Sequence, residues 1–177
     1  MEGQRDIICI VGESGSGKTT LVELLEKWGI RSIASYTTRK PRYPGEKHHT
    51  FVDKKGFDAI RKDLVAYTKF DKHEYGATRQ QIAENHLYVI DPYGVEVLSE
   101  NLGRDRIYVI YLSVSEEERL RRMTAERGEK AAQERIAHDR KKFVGFTDFD
   151  EKWENENEYD RARNLTRLYA LCKELKK

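Results

Sequence analysis

The sequence predicts an α/β fold, a mostly parallel sheet flanked by helices. Three short apolar runs carry that expectation: Ile7-Ile8-Cys9-Ile10-Val11, residues 87–90 and residues 107–112. Each is continuous rather than alternating and mostly β-branched or aliphatic, as strands covered on both faces are. Helical patterns separate them, which is the βαβ signature. Taken in order, residues 18–28 place Leu21, Leu24, Leu25 and Trp28 on one helix face, with Gly29 at its end. Residues 35–50 hold Pro41, Pro44 and Gly45 and read as irregular or edge structure. Phe51-Val52 reads as a short strand, 54–64 as a helix, 65–70 as an alternating strand and 79–85 as a helix. Pro92 and Gly94 break the run that ends at Asp91. Ser115-Glu116-Glu117-Glu118 is a capping box opening a charged helix to about residue 126. A helix follows over 129–143, then a last strand around Trp153 and a closing helix over 161–175.

The 177 residues fit one domain with room for a core that needs no disulfide or metal staple. Charged residues make up 36% and the net charge is only +2, so nothing in the balance calls for a nucleic-acid partner. No apolar stretch is long enough to cross a membrane. The start, Met1-Glu2-Gly3-Gln4-Arg5-Asp6, is polar and unlike a secretory signal. Cys9 and Cys172 make no metal or redox spacing, and a reducing, cytoplasmic setting is expected. Cys9, Trp28 and Trp153 are expected to pack in the core.

The sharpest motif is Gly12-Glu13-Ser14-Gly15-Ser16-Gly17-Lys18-Thr19, a match to G-x-x-x-x-G-K-[ST] between a buried strand and an amphipathic helix. Glycines let the backbone curl so that successive N–H groups face phosphate oxygens, and the following helix adds its N-terminal partial charge. Lys18 would reach the β- and γ-phosphates, and the Thr19 hydroxyl would ligate Mg²⁺. ATP or GTP is the expected ligand of this loop. A second anion site follows at Arg39-Lys40-Pro41-Arg42, where two guanidinium groups can converge on one phosphate. Asp91 closes a buried strand at the carboxyl edge of the sheet, where open α/β folds bind ligands.

On these motifs the chain resembles the guanylate kinase family. The likeness runs through the glycine loop, Ser35 with Thr37-Thr38-Arg39-Lys40-Pro41-Arg42-Tyr43-Pro44-Gly45-Glu46, Phe51-Val52, Tyr75-Gly76, Ile90-Asp91, Glu126-Arg127-Gly128, Arg135-Ile136, Phe149-Asp150 and Asn155. The resemblance implies a P-loop NTPase-type core over 1–34, 85–121 and 144–177, an inserted nucleoside-monophosphate (NMP) subdomain over 35–84 and a helical lid over 122–143. It implies transfer of a phosphoryl group from ATP to a nucleoside 5′-monophosphate, GMP or dGMP above all. ATP would be held by Gly12, Ser14, Gly15, Ser16, Gly17, Lys18, Thr19 and Thr20, with Asn155 near the adenine. The acceptor would be held by Ser35, Arg39, Arg42, His49, Tyr75, Ala77 and Asp91. Lys18, Arg39, Arg127 and Arg135 would act in catalysis, with Arg122 ranked behind the other lid arginines. Mg²⁺ would sit on Thr19, with Asp91 ordering it through water. Arg119, Arg121 and Arg140 are expected on the surface.

Three departures from the family pattern matter. His49 stands where a tyrosine is usual, and Ala77 where a serine is usual. Ala66 stands where a glutamate reads the guanine edge, with Asp63, Glu74 or Asp71 as possible substitutes. The lid is a few residues short. Another phosphorylated acceptor, or a silent binding module built on the same fold, are the alternative readings. The expected partners are small-molecule nucleotides, with neither nucleic acid nor membrane, and the chain a monomer or homodimer.

Overall fold

The computed structural model describes residues 5–70 and 72–175, so Asp71 and the first four residues of the polar start lie outside it. In chain order the elements are β1 (Ile7–Val11), α1 (Lys18–Glu26), β2 (Ser35–Thr37), β3 (His49–Phe51), α2 (Lys54–Ile60), β4 (Leu64–Phe70), β5 (His73–Thr78), α3 (Arg79–Glu84), β6 (Leu87–Val89), α4 (Pro92–Leu102), β7 (Ile107–Ser113), α5 (Glu116–Arg127), α6 (Glu129–Lys142), β8 (Glu151–Glu154) and α7 (Glu158–Glu174).

Two sheets form. The first has the order β6-β1-β7-β8 and every pairing in it is parallel. Its central strand β1 is buried at all five positions, which explains the unbroken apolar run. Odd positions Ile7, Cys9 and Val11 enter one core with Val95 and Leu98 of α4 and Val65 and Ala66 of β4. Even positions Ile8 and Ile10 enter a second core with Leu21 and Leu25 of α1 and Leu168 and Cys172 of α7. Helices and the second sheet therefore cover both faces, as an α/β fold requires. Cys9 and Trp153 are buried as expected.

The second sheet, β3-β2-β5-β4, lies within residues 35–78 and combines a parallel β2–β3 pair with antiparallel pairings of β5. Its edge strand β3 and the irregular residues 38–48 fit the reading of 35–50 as irregular or edge structure, but β2 is an inner strand between β3 and β5, and the sheet adds a strand at 73–78 that the sequence did not signal. His73-Glu74-Tyr75-Gly76-Ala77-Thr78 has weak strand propensity and is held by its neighbours on both sides. Helix α4 was also missed. Pro92 sits in its first turn, where a missing N–H costs nothing, and Asp91 Oδ1 caps it by accepting from Gly94 N at 2.6 Å. Trp28 is the other correction: α1 ends two residues earlier, and the indole is 48% exposed, resting edge-on against Tyr169. Among the described residues no helix is long and apolar enough to cross a membrane.

Candidate active site

The loop between β1 and α1 curls as the motif demands. Gly15 and Gly17 both take positive φ, 80° and 90°. A Cβ on Gly17 would lie 2.7 Å from Asn155 Nδ2, and one on Gly15 would lie 3.0 Å from Arg119 O, so only glycine fits. Lys18 folds back over the loop, donating to Gly12 O at 2.6 Å, Glu13 O at 2.9 Å and Ser16 Oγ at 3.3 Å. Burial lowers its pKa to about 8, against the opposing pull of Asp139 and Glu13.

The loop is braced from behind. Asn155, 1% exposed, donates from Nδ2 to Ser16 O at 2.8 Å. Arg122 donates to Gly15 O at 3.2 Å and to Asn155 O and Glu156 O at 3.0 and 2.7 Å. Tyr111 OH donates to Glu13 Oε2 at 2.8 Å. Arg119 was expected on the surface; it is 4% exposed and sits 3.8 Å from Glu13. Asn155 and Arg122 thus hold the loop's shape through its carbonyls, while Thr19 and Thr20 are exposed at the start of α1.

Helix α6, within the segment expected to form a lid, contacts this loop. Arg135 Nε donates to Ser14 Oγ at 2.7 Å. One turn on, Asp139 Oδ2 accepts from Ser14 N–H at 2.6 Å with its side chain 3% exposed. Asp139 was not singled out from the sequence; its spacing of four from Arg135, on the same helix face, was the available signal. Arg127 lies elsewhere, exposed and paired with Glu126 at 2.8 Å. Arg121 and Arg140 are exposed and pair with Glu118 and Glu116.

The residues expected to hold the acceptor lie on and around the second sheet. Arg39 is bound in a fork by Glu46, at 2.6 and 3.2 Å, and lies over the Phe51 ring. That pair lowers the Glu46 pKa to about 2. Glu46 also accepts from the Arg42 backbone N–H at 2.7 Å, so Arg39 shapes the loop that carries Arg42. His49 Nδ1 lies 3.0 Å from Ser35 Oγ, and its ring meets Tyr75 edge-on. Burial and the nearby Arg39 charge lower its pKa to about 4, so it is neutral at physiological pH. Asp91 Oδ2 pairs with Lys142 of the lid at 2.5 Å, while its other oxygen caps α4.

Both halves open onto one chamber of about 250 Å³. Gly12, Ser14, Lys18, Arg135 and Asp139 line it on the loop side. Ser35, Arg42, His49, Tyr75 and Asp91 line it on the acceptor side, with Ala66, Tyr67, Thr68 and Tyr88. Ala77 is fully buried opposite Ala66 in the β4–β5 ladder. Of the possible substitutes at the base, Glu74 is turned away. It is tied to Arg61, Lys54 and Tyr67 at 2.5, 2.9 and 3.0 Å. Asp63 is exposed and does not line the chamber.

A parallel sheet flanked by helices, with a glycine loop feeding the first of them, defines a P-loop kinase fold. The chain belongs to the AAA domain family, whose model matches residues 8–145. The guanylate kinase of Anaplasma phagocytophilum has the same fold, with a TM-score of 0.65 over 100% of this chain and 90% of that one, at 23% identity. The expected likeness to guanylate kinases therefore holds for the fold. The Thermus thermophilus protein TT1252 is 16% identical over 99% of this chain and all of its own, with a TM-score of 0.48. No curated protein matches in sequence.

Proposed function

We propose that the protein transfers the γ-phosphoryl group of ATP to a nucleoside 5′-monophosphate, with GMP or dGMP as the acceptor. The observation that carries this reading is the single chamber. It joins the loop lysine to His49 and Tyr75 of the second sheet and to Arg42 of the loop between β2 and β3. Two phosphate-bearing ligands entering from the two sides would meet in line, and positioning is most of what phosphoryl transfer needs.

Loop N–H groups and Lys18 would hold the donor phosphates. Arg42, Tyr75 and the neutral His49 would hold the acceptor phosphate, His49 as a single donor. Arg135, already at the loop, would neutralise charge that grows on the transferring group. Mg²⁺ suits the donor set at Thr19, whose exposed hydroxyl would join phosphate and water oxygens, with Asp91 beyond. When bound it supplies charge neutralisation between the β- and γ-phosphates. The lid contacts from α6 would exclude water, which otherwise hydrolyses ATP.

Ala66 favours a second reading, in which the acceptor carries another base, because a methyl cannot accept protons from the guanine edge. Steady-state kinetics of Lys18→Ala and Arg42→Ala test the proposal. Lys18→Ala should abolish transfer in a folded protein. Arg42→Ala should raise the acceptor KM by tenfold or more with the ATP KM unchanged, as loss of a charge-assisted contact implies (about 1.5–3 kcal/mol). Normal turnover in the first variant, or an unchanged acceptor KM in the second, would reject it.

A further inference from the structure

Within that reading, a polar group that the motifs did not indicate lies at the acceptor end of the chamber. Tyr88 is the middle residue of β6 and pairs with Cys9 of β1. Its ring enters the core shared with Ala66 and Ala77, leaving the residue 5% exposed. Tyr88 lines the same chamber as Ala66 and Thr68, and shares a core cluster with Ala66. Among the described residues its hydroxyl makes no hydrogen bond, and the oxygen is not among the fully enclosed polar atoms, so it is accessible to a ligand. Burial, with Asp91 and Cys9 nearby, raises its pKa and keeps the phenol protonated.

We propose that Tyr88 is the base-reading residue of the acceptor site, its phenol donating a hydrogen bond to a ring carbonyl of the incoming base. A protonated phenol at the chamber wall offers a proton. Of the described acids that could answer for Ala66, Glu74 is committed to Arg61, Lys54 and Tyr67, and Asp63 is exposed and does not line the chamber. The site therefore recognises a base by its oxygen rather than by its N–H groups. Guanine, thymine, uracil and cytosine present such an oxygen; adenine has none. The proposal rests on the kinase reading above, and its test separates the two.

The test is Tyr88→Phe, which keeps the ring and removes one oxygen. Calorimetric titration of the wild-type protein with GMP, dTMP, UMP and AMP comes first. At least one oxo-base nucleotide should bind, and AMP should bind at least tenfold more weakly. Absence of binding by all four would reject the kinase reading itself. Tightest binding by AMP would reject only the role of Tyr88. In Tyr88→Phe, the Kd of the preferred nucleotide should rise about tenfold, the usual effect of leaving a buried polar group unpaired. ATP affinity should stay the same. The melting temperature should not fall, because the free protein loses no bond. An oxo-base Kd within twofold of wild type, in a variant that melts normally, would overturn the proposal.

Discussion

Lys18 is held in the loop with its pKa lowered to about 8, from 10.5, mainly by burial. ATP phosphates would restore the charged form, so binding above pH 8 must take up a proton. If only charged Lys18 binds, and ATP returns its pKa to near 10.5, the apparent Kd scales inversely with the fraction of free protein that is protonated. Between pH 7.5 and pH 9.5 that predicts a loss of affinity of about twentyfold. The assay is calorimetric titration with a non-hydrolysable ATP analogue across this range, in buffers of different ionisation enthalpy. The buffer dependence should report close to one proton taken up at pH 9. Lys18→Arg is the control, since a guanidinium stays charged throughout and its profile should be flat. Stability gives a second reading. A lysine whose folded pKa lies below its unfolded value costs stability at lower pH, so the free protein should gain stability from pH 8 to about 10.5. A flat affinity profile for the wild-type protein would refute this description of Lys18.

Two further outcomes follow from the loop and from the acceptor side. Glu46 is 4% exposed at its side chain and holds both Arg39 and the Arg42 N–H. Glu46→Gln should destabilise by about 2 kcal/mol at pH 7 in urea unfolding. The depressed carboxyl contributes above pH 4.5 and loses its effect as pH falls towards 2, so the difference should shrink at pH 3. Asp139 places a carboxylate on a loop N–H that faces the donor site. Asp139→Asn should tighten MgATP binding by roughly three- to tenfold, as removal of a partly buried like charge implies; weaker binding would instead make Asp139 a ligand of the complex.

The sequence showed most of what is built from strong local signals. The apolar runs gave β1, β6 and β7, and the capping-box pattern gave α5, whose Ser115 accepts from Glu118 N while its own N–H donates to Glu156 instead of Glu118. The glycine loop was legible because its chemistry needs glycine at fixed spacing. What failed was structure imposed by tertiary neighbours. Strand β5 is polar and exists through its partners, and α4 was hidden behind Pro92 and Gly94, which mark a start as readily as a stop. Within the site, spacing could rank the arginines but not aim them. Arg135 meets the loop, Arg39 is taken by Glu46, and Arg119 is buried against Glu13. Asp139 offered only its spacing of four from Arg135 as a signal, and Tyr88 stands in no motif. Their roles come from burial, which depends on elements far away in the chain.

The most direct measurement is phosphorus NMR of the protein mixed with MgATP and GMP, followed by the other monophosphates in turn. Transfer between bound nucleotides should produce ADP and the matching nucleoside diphosphate in equal amounts, with no growth of inorganic phosphate. ADP accompanied only by inorganic phosphate, or unchanged spectra with every acceptor, would contradict a chamber that joins two nucleotides for phosphoryl transfer.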